Sequence, residues 1–393
     1  MQLSNLALNY PASVIRQVSS YAHKVALQTG EMYYFTMGEP NFNSPDIVKA
    51  TAIKEIENNN TFYGPNIGET SLRQALANHL NERLKTQLNP DQIAITYGAT
   101  DALFSTMFAL LNPGDEVLVP TPNYPNYLGQ IAMVGAQAKL VPLQADYNFH
   151  LQISDLEAQI TDKTRMLIVN TPNNPLGTVL TPAEVQDISQ FAADHNLFIL
   201  ADEVYHSLTY EGHQHTSFFQ PSLANYNQTV LVDSFSKSYA MTGYRVGYAA
   251  ANDSRLIQAI AEFKEGTSFA VPSFIQESAR LALEKAEPAT EAMRAAYSRR
   301  RDLLSQGLAQ IPGLRLTPSD GAFYAFVDIS AYGLSSTDFV YQLIAQEHVA
   351  LIPGSSFGQA GEGYVRISYA ASDEDLARLI QRLGHFCQKL AQQ

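Results

Sequence analysis

Within residues 232–247, VDSFSKSYAMTGYRVG, one lysine and one arginine stand in settings unlike those of surface charges. Lys237 follows the apolar run TVLVD at 229–233, which reads as a buried strand, and is surrounded by Ser234, Ser236 and Ser238. An amine at the carboxyl end of a strand lies where open α/β sheets bind their ligands, so Lys237 is a candidate reactive group. Downstream, Arg245 sits between Gly243 and Gly247, where backbone can pass close to a ligand and a guanidinium can fork onto a phosphate. A lone lysine is ordinarily a solvated charge, and it is the stretch as a whole that departs from this.

The elements that must position these groups follow from the chain's patterning. From residue 93 onward short apolar runs alternate with helical segments, the pattern of a mainly parallel sheet wound with helices. Strands are expected at 93–97, 116–119, 166–169, 198–201 and 229–233. Helices are expected at 13–29, from 70 to 84, and from Gly98 to about 111. Amides at a helix start bind anions, which makes Gly98, Ala99 and Thr100 candidate phosphate ligands. The loop PTPNYP at 120–125 presents Tyr124, otherwise a packing residue. The turn NTPNNPLG at 170–177 is held rigid by two prolines and can aim the amide of Asn174. Asp202 ends an apolar run and is followed by Glu203, Val204 and Tyr205. Thr181, Pro182 and Glu184 form a capping-box pattern without catalytic meaning. A mostly helical passage from 273 to about 310 marks a domain boundary. Beyond it lie strands at 322–327 and 364–368 and helices at 337–347 and 374–383, a smaller α+β unit. A further strand is expected at 33–37. There is no internal repeat and no low-complexity tract.

The chain's 393 residues suit two domains. With 25 Lys and Arg against 38 Asp and Glu, the net charge of −13 argues against a nucleic-acid or acidic-membrane surface. The single cysteine excludes an internal disulfide and a cysteine-based metal site, and no metal is expected. The start lacks the order of a signal peptide and no apolar run could span a bilayer, so the expectation is a cytoplasmic protein with no membrane partner.

Taken together, S-x-S-K followed by T-G-Y-R-x-G, the GEPNFNSP stretch at 38–45, YGPNIG at 63–68, N-x-x-N-P, D-E-x-Y, PGSSFG at 353–358 and V-R-x-S resemble the class I aminotransferases, from about Pro11 to the C-terminus. The resemblance implies a fold type I subunit. Its large domain, residues 41–285, carries a seven-stranded, mostly parallel sheet, and its small domain combines 1–40 with 286–393. It further implies pyridoxal 5'-phosphate bound to Lys237 as a Schiff base, Asp202 on its ring nitrogen, and Tyr205 and Asn174 on its phenolic oxygen. The aromatic ring of Tyr124 would stack on the pyridine, and the phosphate would be held by Gly98, Ala99, Thr100, Ser234, Ser236 and Arg245. Tyr63 would reach across a homodimer interface to the neighbouring subunit's phosphate. Gly38 and Arg366 would meet the substrate's α-carboxylate, a bidentate guanidinium fixing the plane that a lysine could not.

Such an enzyme moves the α-amino group of an amino acid to a 2-oxo acid such as 2-oxoglutarate by a ping-pong mechanism. Thr100, Asp101 and 267–269 offer no obvious cation for a second carboxylate, and the pieces at 13–16 and 202–210 resemble bacterial aminotransferases with aromatic or diaminopimelate-type substrates, which implies an aromatic or broad-range donor ahead of aspartate or a lysine-pathway donor. A carbon–sulfur β-lyase on the same scaffold is the alternative. An aminotransferase-like ligand-sensing regulator is the remote one, since it needs a DNA-binding domain ahead of an arm that here starts almost at Met1.

Overall fold

The computed structural model describes residues 3–4, 13–210 and 212–392, so most of the arm expected before residue 13, Pro11 included, lies outside the described residues. Thirteen strands follow one another among them: β1 (Tyr33–Tyr34), β2 (Ile93–Thr96), β3 (Glu116–Thr121), β4 (Gln137–Pro142), β5 (Thr164–Asn170), β6 (Phe198–Asp202), β7 (Thr229–Ser234), β8 (Gly247–Ala251), β9 (Arg315–Leu316), β10 (Tyr324–Asp328), β11 (Val349–Ala350), β12 (Ile352–Pro353) and β13 (Tyr364–Ser368).

Seven of them form one sheet in the order β2-β8-β7-β6-β5-β3-β4. Only β8 runs against its neighbours, pairing antiparallel with both β2 and β7. Both faces are covered, which is why these strands read as continuous apolar runs. On one face Val117, Ile168 and Leu200 pack with Leu103 and Met107 of the helix Ala99–Leu110 and Ile257 and Ile260 of the helix Ser254–Glu265. On the other, Leu118, Leu167 and Ile199 meet Val185, Ile188 and Phe191 of the helix Pro182–Asp194. Thr181 caps that helix with the expected box, its hydroxyl accepting from the Glu184 amide.

A second sheet, β12-β13-β10-β9, is antiparallel, and β1 pairs in parallel with β11, joining the N-terminal segment to the C-terminal unit. Several expectations change, among them the helix at 374–383, which runs over Asp373–Leu390, and the strand at 322–327, which is Tyr324–Asp328. The strand at 33–37 is only Tyr33–Tyr34; beyond it the Phe35 amide still donates to the Ala350 carbonyl and the Phe35 carbonyl accepts from the Ser368 amide, each at 2.9 Å. The helical passage after 273 is two helices, Ser273–Lys285 and Glu287–Leu308, the second starting at a Pro-containing first turn. The fold is α/β: the patterning anticipates the mostly parallel sheet wound with helices, and the resemblance its seven strands.

Candidate active site

The carboxyl ends of β5, β6 and β7 lie along one edge of the large sheet, with Asn170 in register with Asp202 and Ser234 with Gly247. Because β8 is antiparallel, its first residue returns to that same edge. Arg245, two residues before it, is thereby delivered beside the others. A cavity of about 410 Å³ opens there, at the place where open α/β sheets take ligands.

Asp202, Tyr205, Lys237 and Arg366 line it, as do Gly38 and Asn174. Ala99, Thr100, Tyr124, Ser234, Ser236 and Arg245 complete the sequence-expected set around it. Gly98 stands behind this wall. It caps the helix Ala99–Leu110 at φ 77° and ψ 175°, and a Cβ there would sit 2.7 Å from an Arg245 guanidinium nitrogen. Tyr63 is elsewhere: it is 88% exposed, its ring 4.8 Å from that of Phe269.

The Asp202 carboxylate is buried. Its Oδ2 accepts from the Tyr127 hydroxyl at 2.6 Å, while Oδ1 is removed from solvent without a partner. Burial pushes its pKa up to about 6, against the pull of the Tyr127 hydrogen bond. The Lys237 ammonium donates to the Gly38 carbonyl. Burial brings its pKa down to about 8, and Glu39 opposes the shift. Arg366 is buried under Tyr324, whose ring centroid is 4.5 Å away. It donates through Nη1 to Asn174 Oδ1 at 3.0 Å and through Nη2 to the Thr36 carbonyl at 2.6 Å, while Nε has no partner. Arg245 is anchored on the carbonyls of Thr242 (2.9 Å) and Tyr97 (3.2 Å).

Several residues of the site carry no role in the sequence reading. Asn170 accepts from the Asn174 amide at 2.8 Å and donates to the Asp202 carbonyl at 2.9 Å, bracing the turn against β6. Tyr324 and Tyr205 share a hydroxyl–hydroxyl contact of 2.8 Å. Glu39 lines the cavity and accepts from the Thr242 hydroxyl at 3.1 Å. Tyr127 lies within the helix Asn126–Met133, where it reads as packing. A tyrosine in a buried element needs a partner for its hydroxyl, which was the available signal for Tyr324.

These groups divide into an anion-binding end and a carboxylate-binding end, with an amine between. Helix-start amides, two serines and Arg245 can hold a phosphate; the bare Asp202 Oδ1 can accept from a protonated ring nitrogen; Arg366 can take a carboxylate. The donor set fits a phosphorylated pyridine aldehyde. Fold and cavity thus define an α/β enzyme organised around a lysine, a buried carboxylate and a buried arginine. Residues 22–383 match the family profile described as aminotransferase class I and II, and the chain belongs to that family of pyridoxal-phosphate-dependent amino-acid aminotransferases.

The chain is 37% identical over 350 residues to an aspartate aminotransferase of Pyrococcus abyssi, covering 88% of this chain and 89% of the relative. It is 38% identical over 350 residues, with the same coverage, to aromatic-amino-acid aminotransferase 2 of Thermococcus litoralis. The solved aspartate aminotransferase of Thermus thermophilus with maleate superposes with a TM-score of 0.93 at 31% identity, over 98% of this chain and 100% of that one. These relatives do not favour the carbon–sulfur lyase alternative.

Proposed function

We propose that Lys237 anchors the cofactor and that the enzyme transfers the α-amino group of an aromatic or broad range of amino acids to a 2-oxo acid such as 2-oxoglutarate, in two half-reactions. The observation that carries this reading is the unpartnered, buried Oδ1 of Asp202 in one cavity with Lys237 and Arg366. When bound, the cofactor supplies the electron sink that makes an amino acid's α-proton removable. Asp202 favours the protonated ring nitrogen on which that sink depends. Arg366 fixes the α-carboxylate and so the direction of the C–H bond, while Gly38 contributes backbone to the same end. Lys237, whose amine would hold the cofactor, is also placed to hold the proton taken from the substrate's α-carbon. Tyr205 and Asn174 serve the phenolic oxygen, Tyr124 the ring face, and Gly98, Ala99, Thr100, Ser234, Ser236 and Arg245 the phosphate.

The cavity's cations support the donor class. Lys237, Arg245 and Arg366 are the cations lining it among the described residues, and each has a task, so none is left for a second carboxylate. Ile15, Met37 and Leu103 add apolar surface. The division into 41–285 against 1–40 with 286–393 is supported by the pairing of β1 with β11. A cytoplasmic homodimer, with Tyr63 serving the neighbouring subunit, is supported by the exposure of Tyr63 and by the absence, among the described residues, of any helix long and apolar enough to cross a membrane.

The test is to add phenylalanine, tyrosine, aspartate, glutamate and cystathionine singly to the holoenzyme with no 2-oxo acid present. Aromatic donors are expected to release a stoichiometric burst of their 2-oxo acids and then stop until 2-oxoglutarate is supplied. Continuous pyruvate from cystathionine, with no burst from any other donor, would replace this reading with the lyase.

A further inference from the structure

A second cavity, of about 800 Å³, lies behind the Lys237 segment between the helix Thr70–Leu84 and the start of the helix Glu287–Leu308. Its inner wall carries Arg83, His79 and His206, and its mouth the exposed carboxylates Glu82, Glu287 and Glu291. All three guanidinium nitrogens of Arg83 are removed from solvent without a hydrogen-bond partner. A charge so placed is costly unless something pairs with it.

The nearby buried carboxylates are already engaged. Asp233 accepts from the Tyr248 hydroxyl at 2.9 Å and the Ser234 amide at 2.6 Å, and faces His206 at 3.1 Å. Glu203 accepts from Ser217 at 2.9 Å and the Phe218 amide at 2.8 Å, and faces His215 at 2.9 Å. Arg83 lowers the pKa of both acids at longer range without bonding to either. His79, one turn before Arg83, is held down to about 4 by burial and then by Arg83, so it stands as a neutral imidazole beside the guanidinium. At the mouth, Glu291 is bound by Arg294 at 2.6 Å, and Glu82 and Glu287 keep the rim negative.

An unsatisfied guanidinium inside and carboxylates outside call for a ligand carrying both signs. We infer that this cavity is a second binding site, for a small zwitterion of the amino-acid class, its carboxylate on Arg83 and its ammonium toward Glu82 and Glu287. The wall of the site touches the reactive segment. Ser207 Oγ lies 2.8 Å from Ser238 Oγ, and Thr290 donates to the Ser238 carbonyl at 2.6 Å, one residue beyond Lys237.

Calorimetric titration of the holoenzyme with 2-aminoisobutyrate, which has no α-proton to lose, tests the assignment. Two binding events per chain are expected in the parent. Arg83→Gln is expected to lose one with basal turnover unchanged, and Arg366→Gln to lose the other, so the two sites are read separately. Arg83→Lys, which keeps the charge without the fork, is expected to weaken the first event about tenfold. Isobutyrate, lacking the ammonium, is also expected to bind the Arg83 site about tenfold more weakly. A single event per chain in the parent, two events surviving in Arg83→Gln, or equal binding of isobutyrate at that site would each overturn the inference.

Discussion

Asp202 and Lys237 have the same difficulty with opposite signs: each is a charge in a poorly solvated place, and each is thereby made useful. For Asp202 the folded pKa is raised to about 6, from an ordinary 3.8. Stability contributed by the neutral acid is therefore full below the unfolded value and is lost as pH rises through the folded one. Over two pKa units this comes to about 3 kcal/mol. Asp202→Asn is thus expected to leave apoprotein stability unchanged at pH 3.5 and to raise it above pH 6, read by urea unfolding across that range. With cofactor bound the ranking reverses in function, and loss of the carboxylate is expected to slow transamination by about 100- to 1,000-fold. A holoenzyme of undiminished turnover in Asp202→Asn would remove Asp202 from the role proposed for it. Lys237, with its pKa lowered to about 8, is substantially uncharged at a pH where an exposed lysine is not. Uptake of pyridoxal phosphate by the apoprotein, followed by absorbance, is expected to accelerate with pH to a midpoint near 8 rather than near 10.5, the value an unperturbed lysine would give.

At the scale of elements, the strand ends that carry chemistry were legible because β5, β6 and β7 are buried on both faces and read as unbroken apolar runs. β8 was not: Gly247–Ala251 is glycine, tyrosine and three alanines, too small to register as a strand, and it needs no crossover helix to announce it. Yet its reversed direction is what returns Arg245 to the site. β4, the helix Asp46–Glu57 and the helix Ser254–Glu265 likewise escaped the pattern reading. The helix Thr70–Leu84 and strand β13 matched it residue for residue. Side chains that act through another residue, such as Tyr127 on Asp202, are invisible in sequence because only the fold brings residues 75 positions apart together. The junction of β2 and the helix Ala99–Leu110 illustrates how tightly such elements meet. Gly98 has a backbone conformation that only glycine adopts freely, and its α-carbon faces the Arg245 guanidinium. Gly98→Ala is expected to cost about 1–3 kcal/mol in stability. It should also weaken cofactor retention, measured by dialysis against a carbonyl trap, while turnover at saturating cofactor falls less.

For the whole molecule the outlying residue is Tyr63, which stands exposed and is not among the residues lining the cavity. It follows Phe62, which is 81% exposed, and its own ring lies against Phe269, so a lone chain would present exposed aromatic rings to water here. If a second copy covers these rings and Tyr63 completes the neighbour's phosphate end, Tyr63→Phe must weaken cofactor binding in a site it does not share a chain with. Subunit mixing separates that arrangement from a role within one chain. Lys237→Ala chains supply an intact Tyr63 but no amine, and Tyr63→Phe chains supply the amine. In a random equimolar mixture about half the dimers are mixed, each with one site built from both intact residues, so about a quarter of all sites regain parent cofactor affinity. Were Tyr63 to act within its own chain, every site with Lys237 would still lack it and mixing would restore nothing. A titration of tight cofactor sites after co-refolding reads the difference directly, and it does so whatever the amino donor proves to be.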